Sequence, residues 1–183
     1  MKGFVREDQM FSLCGLKCAL CTMHLDHYCP GCGGGEGNQS CKIAHCAMQH
    51  GGYEYCYECS QYPCGYYPKV EEYDSFITHR HRLQDMERMK ETGRDAFHDE
   101  LKEKADILQV LLTNYNDGRR KTFFCMAVNL LDLKDVHEIM NYVKTMDLDG
   151  LSAKEKSAKV VYLFKIRAEQ CNIELKLRRK KKG

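Results

Sequence analysis

The sequence has no long apolar run. Nowhere do about 18 apolar residues follow one another, the length from which a membrane-spanning helix is read, so no membrane partner is expected. It also lacks an excess of charge of one sign. The 28 Lys and Arg against 26 Asp and Glu leave a formal net charge of +2, which is not the balance of a protein that seeks nucleic acid with its whole surface. The opening residues MKGFVREDQMFSL carry Glu7 and Asp8 where a secretion signal needs an apolar centre, and this predicts a cytoplasmic location. No paired carboxylates and no Ser–His–Asp set can be argued from spacing. The glycine-rich stretch GCGGGEGN lacks the Lys-Ser/Thr that a nucleotide-binding loop requires.

Proline and glycine are scarce in one part of the chain only. All three prolines (30, 63 and 68) and ten of the 14 glycines precede residue 69. Cysteine is divided even more sharply. Of twelve, only Cys125 and Cys171 lie beyond residue 64, and the other ten crowd between Cys14 and Cys64. In a secreted mini-protein that crowding would read as a disulfide framework. In a reducing cytosol it reads as metal ligands. The expected organisation is therefore two-part, with a Cys-rich metal-binding module over 1–68 and a helical domain over 69–183 that ends in a short strand and a basic tail. The expected fold class is a small α+β protein, its zinc-ribbon or knuckle-like module packed on the helical part.

Within the module, CPGCG (29–33) predicts a tight knuckle in which Gly33 turns left-handed and backbone N–H groups face the sulfurs. Cys29, Cys32, Cys41 and Cys46 give C-x2-C-x8-C-x4-C, short enough to close one tetrahedral site, with His45 able to replace a cysteine. Six cysteines remain, Cys14, Cys18 and Cys21 in CGLKCALC and Cys56, Cys59 and Cys64 in CYECSQYPC. Spacing leaves three arrangements open for them: one tetrahedral site with two spare, a two-metal cluster with bridging thiolates, or a 4Fe-4S cluster on Cys14, Cys18 and Cys21 with a fourth ligand from the other group. Two or three zinc ions are expected, with the iron–sulfur cluster as the alternative. Each Zn²⁺ held by four thiolates carries −2, so two such sites would take the formal net charge from +2 to −2.

The C-x3-C-x2-C spacing of CGLKCALC is also that of enzymes that bind S-adenosylmethionine on an iron–sulfur cluster, and Gly34-Gly35-Glu36 imitates their methionine-binding segment. In those enzymes the segment ends a barrel strand. Here it sits inside the knuckle, no βα repeats follow, and the chain lacks the roughly 200 residues of even a partial barrel. A catalytic reading is disfavoured on a second ground: sites saturated by four cysteines keep no open position for substrate or water.

The order CGLKCALC, CPGCGG, CKIAHCAMQHG, CYECSQYPC resembles the bacterial and archaeal cysteine-rich family known as domain-of-unknown-function family 3795. The likeness covers about residues 12–68 and falls on Cys14, Cys18, Cys21, Cys29, Cys32, Cys41, Cys46, Cys56, Cys59 and Cys64. It implies metal binding of a zinc-ribbon type in a prokaryotic protein and carries no activity with it. The resemblance leaves function open; the role read from the saturated four-cysteine sites is structural, serving an interaction with an unknown protein partner.

His24, His27, His45 and His50 lie among the cysteines as reserve ligands. Arg80, Arg82 and Arg88 supply positive charge that would face the module's thiolates. Glu54, Glu58, Glu71 and Glu72 lie among the tyrosines and repel phosphate, so base stacking on those rings is disfavoured. Beyond Pro68 the periodicity predicts helices over about 70–91 (Val70, Tyr73, Phe76, Ile77, Leu83 and Met86), 94–116 and 119–146 with a break near Asp132, then a capped helix from Ser152-x-x-Glu155 to about Cys171. His79 and His81 fall in the first of these. Cys125 and Cys171 read as core thiols. Ile173, Leu175 and Leu177 alternate as a short strand would. The basic run Lys176, Arg178, Arg179, Lys180, Lys181, Lys182 reads as a solvated terminus rather than a phosphate-binding arm.

Overall fold

The computed structural model describes residues 2–36, 41–68 and 72–179. Val70, Glu71 and Lys180 to Lys182 lie outside the described residues. Among the described residues there are seven α-helices: α1 Thr22–Leu25, α2 Lys42–Gln49, α3 Arg82–Thr92, α4 Arg94–Asn114, α5 Lys121–Leu130, α6 Leu133–Thr145 and α7 Ala153–Gln170. Two short 3-10 turns, Cys18–Leu20 and Cys56–Glu58, add to them.

The expected α+β class, with a zinc-ribbon module, is overturned: the described residues contain no strand and no sheet. CPGCG is closed by a turn, Gly34 N–H to the Gly31 carbonyl at 3.2 Å, and the other cysteine segments by 3-10 turns and short helices, not by hairpins. The alternating Ile173, Leu175 and Leu177 find no ladder to join. After α7 the backbone turns left-handed at Asn172 (φ 55°), Ile173 N–H bonds back to the Ala168 carbonyl at 2.7 Å, and Asp74 N–H reaches the Arg178 carbonyl at 2.8 Å, neither of which is a strand ladder. A lone strand without a partner has nowhere to put its backbone hydrogen bonds.

The helical stretch from residue 70 to 91 is also shorter than its periodicity suggests, because α3 starts only at Arg82. Side chains upstream take the backbone bonds that a helix would use. The Asp74 carboxylate accepts from His79 N–H at 2.8 Å, and Thr78 Oγ1 accepts from Arg80 N–H at 3.3 Å. Such side chain–backbone bonds compete with helix formation. His81, left-handed at φ 66°, is the residue just before α3, and His79 Nε2 lies 2.9 Å from Ser75 Oγ.

The other boundaries agree with the local chemistry. Ser152 and Glu155 form the capping box at the start of α7: Glu155 accepts from Ser152 N–H at 2.9 Å and donates its own N–H to Ser152 Oγ at 3.4 Å. Asp132 separates α5 from α6 in an extended conformation.

By spatial contact the chain forms two compact units. One comprises residues up to Leu101 together with the segment from Leu177 onward, and the other is Lys102–Lys176. The second unit is built on apolar helix faces. Leu108, Leu111, Phe124, Val128, Leu131, Val136, Val160 and Phe164 are all fully buried, and Phe124 meets Phe164 edge to face at 6.0 Å. Cys125 is buried on α5 among these residues, whereas Cys171, expected inside, is exposed at the end of α7.

The first unit has a smaller core and compensates with buried charge. Its apolar cluster consists of Phe4, Leu13, Cys14, Ile43, Ala44, Ala47 and Tyr67, with Cys32, Cys56, Cys64 and Leu83 packed against it. Phe11 packs against Phe97, with ring centroids 4.8 Å apart and the planes tilted by 60°. Arg6, Asp8, Lys17, Arg82 and Asp85 are buried with them. No helix among the described residues is long and apolar enough to cross a membrane.

Candidate functional site

All twelve cysteines are free thiols. Nine of the ten in the first unit gather in two neighbouring groups, which are not the groups that sequence spacing suggests. Cys29 and Cys32 join Cys14, Cys18 and Cys21, and burial together with these neighbours pushes the Cys18 thiol well up. Cys46 instead lies with Cys59 and Cys64. The local quartet Cys29, Cys32, Cys41 and Cys46 is thus divided. Cys41 is exposed at the N-cap of α2. The reason for the division is topological: α2 carries Cys46 against the CYECSQYPC segment, while the CPGCG turn folds back on the N-terminus.

That fold-back is anchored by Arg6. Arg6 N–H donates to the Gly33 carbonyl at 3.2 Å, and its guanidinium donates to the Cys32 carbonyl at 3.0 Å. Gly33 has φ +86°, and a Cβ there would stand 2.8 Å from Arg6 N, so glycine is required on both counts. The same guanidinium donates to Glu54 O (2.8 Å), Asp8 O (3.0 Å) and Phe11 O (3.1 Å), and it pairs with the Glu54 carboxylate at 3.3 Å. One buried side chain thereby ties together the start of the chain, the knuckle and the CYECSQYPC approach.

Hydrogen-bond donors converge on the sulfurs of the first group. Cys14 Sγ lies 3.3 Å from Arg82 Nη2 and 3.4 Å from Ser12 Oγ. Burial raises the Cys21 thiol, but the backbone N–H groups of His24 and Met23 oppose this. Burial and then the charge of Cys14 push Cys32 up to about 11, against the pull of Arg6 and the Leu13 N–H. Donors aimed at sulfur suit a thiolate, because a neutral thiol is a weak acceptor.

The second group opens on a cavity of about 30 Å³. Cys46, Cys56, Cys59 and Cys64 line it with His50, Tyr53, Tyr62 and Tyr67. That space suits an ion or a water or two, far below the several hundred Å³ of an organic cofactor site. Cys46 Sγ lies 3.6 Å from His50 Nδ1. Cys56 belongs to both groups. Burial pushes it up to about 12, the Tyr67 hydroxyl works against this, and Cys14, Cys64 and Cys32 add to it.

The donor chemistry of both groups fits a thiophilic metal. As placed, the side chains have not closed on one: among the described residues no three His, Cys, Asp or Glu stand together as an ion-holding set. His24 is turned away, its Nδ1 lying 3.1 Å from the Cys29 carbonyl. His27 and His45 are exposed.

Periodicity gave no warning of Arg6, Lys17 and Asp85, because charged residues among loops read as solvated surface. The signal for Lys17 and Arg82 was only their nearness to cysteine and helix start. The chain matches no known family model, no curated protein and no solved structure.

Proposed function

We propose that this is a metal-binding protein whose first unit is stabilised by thiolate-ligated ions at two adjoining centres. The first draws on Cys14, Cys18, Cys21, Cys29 and Cys32, and the second on Cys46, Cys56, Cys59 and Cys64 with His50 at its edge. Zinc, two or three ions per chain, is the leading occupant. The reading is supported above all by the lining of one ion-sized cavity by four cysteines from two segments, Cys46 on α2 and Cys56, Cys59 and Cys64 in CYECSQYPC. Bound metal would supply fixed positive charge that draws the surrounding sulfurs together. Side chains that come together only with the ion are expected where binding energy is also folding energy.

The function served is structural, and it displays a surface for a protein partner in the cytoplasm, where a reducing environment keeps thiols available. The alternative is a 4Fe-4S cluster on the first group, favoured by the gathering of Cys14, Cys21, Cys29 and Cys32 around Cys18. The cysteine order still resembles domain-of-unknown-function family 3795, and membership is part of this proposal. Elemental analysis and an absorption spectrum of protein purified without oxygen separate the readings. Zinc at two or three per chain with no visible band supports the first, iron with acid-labile sulfide supports the second, and a metal-free chain rejects both.

A further inference from the structure

We propose that Arg82 is the buried counter-ion of the thiolate centre built on Cys14, and that occupancy of this centre keeps the start of α3 docked on the Cys14–Cys18 loop. The inference rests on the metal reading above.

Arg82 is 3% exposed. Its Nη2 reaches Cys14 Sγ at 3.3 Å, while Nε and Nη1 have no hydrogen-bond partner among the described residues. A guanidinium does not give up its proton in a protein, and a buried charge without an opposite charge is strongly unfavourable. The nearby carboxylate does not serve it, because Asp85 is held by the equally buried Lys17 at 2.7 Å. What remains beside Arg82 is sulfur. Ser12 Oγ already accepts from Leu16 N–H at 2.7 Å, so its own proton is free to point at Cys14 Sγ, 3.4 Å away. Two donors on one sulfur, and a buried cation with no carboxylate partner among the described residues, both point to a negatively charged centre there. A metal centre saturated by thiolates provides it.

The same contact is part of the joint that holds α3. Gly15, at φ +94°, lies so close to α3 that a Cβ would stand 2.4 Å from the Arg82 carbonyl oxygen. Lys17 reaches Asp85 one turn into α3. The three residues Cys14, Gly15 and Lys17 of one loop therefore meet the first turn of one helix. Loss of the metal takes away the charged centre that Arg82 faces in the joint, and α3 is then released.

The test uses the full chain, zinc alone as the probe, a competing chelator, and amide hydrogen exchange over Arg82–Thr92. In the unaltered protein, stripping the metal is expected to speed exchange in α3 tenfold or more. Arg82→Met is expected to weaken zinc at one centre by roughly 10- to 100-fold, the range of outer-shell changes, and to make α3 exchange indifferent to metal. Arg82→Lys should fall between the two. Zinc binding by Arg82→Met equal to that of the unaltered protein, or α3 exchange unmoved by stripping, overturns the inference and leaves the metal reading standing. An unaltered chain that takes up no metal overturns both. Should Arg82→Met unfold, the pair with Cys14→Ala decides. Cys14→Ala strands the cation, so adding Arg82→Met to it should raise Tm. A further fall in Tm equal to that in the unaltered background rejects the pairing.

Discussion

Arg178 and Asp74, 104 residues apart in sequence, are joined by Nη2 at 2.9 Å, Nε at 3.3 Å and the Arg178 backbone N–H at 2.8 Å. The basic run at the chain end is therefore pinned at Arg178 and is not a free terminus there. Burial by itself would raise the Asp74 carboxyl. The Arg178 guanidinium and the backbone N–H groups of His79 and Arg178 outweigh it and hold the group below the usual carboxylate range. A depressed carboxylate stabilises the fold above its unfolded pKa, and that contribution is lost as pH falls through the folded value. The Arg178 amide should thus be protected from exchange at neutral pH and lose protection below about pH 4. Asp74→Asn should lack that protection throughout. An amide equally protected in Asp74→Asn would contradict the anchor.

Arg6 carries a second prediction. Its side chain is 1% exposed and its fork feeds backbone carbonyls at Asp8, Phe11, Cys32 and Glu54. Lysine keeps the charge and loses the fork. Arg6→Lys should cost about 2–4 kcal/mol in chemical denaturation at fixed metal content, and Arg6→Met about 3–5 kcal/mol, because Glu54 is left without its cation. A Lys variant as stable as the parent would show that charge, not geometry, holds the knuckle.

The second unit offers an independent check. Lys104 is 3% exposed, and its Nζ donates to the Leu131 carbonyl at 2.7 Å, where α5 ends. A carbonyl at a helix end has no partner within the helix. Lys104→Met removes the donor and should lower stability by about 1–3 kcal/mol, whereas Lys102→Met, on the exposed side of α4, should stay within about 0.5 kcal/mol. Equal thermal shifts for the two would remove the case for a built cap.

Where local chemistry decides, the sequence was readable. Ser152 and Glu155 announced the start of α7, and Asp132 the break between α5 and α6. The apolar stripes became core because periodicity is a local property. The strand at 173–177 was misread because alternation says nothing about whether a partner strand exists. The late start of α3 was hidden because it depends on Asp74 taking the His79 N–H. In the first unit, spacing marked the cysteines as a set and could not group them. Grouping depends on how Arg6 folds the knuckle back and how α2 lies, and these are long-range matters. The buried pair of Lys17 and Asp85 was invisible for the same reason, since its members are far apart in sequence and polar.

The account stands most directly on metal content per chain, measured by elemental analysis on the intact protein and on Cys18→Ser and Cys59→Ser. Two adjoining centres require that the unaltered chain hold at least two ions, that each variant lose about one, and that the double variant lose both. A metal-free parent, or single variants that keep the full complement, would contradict it.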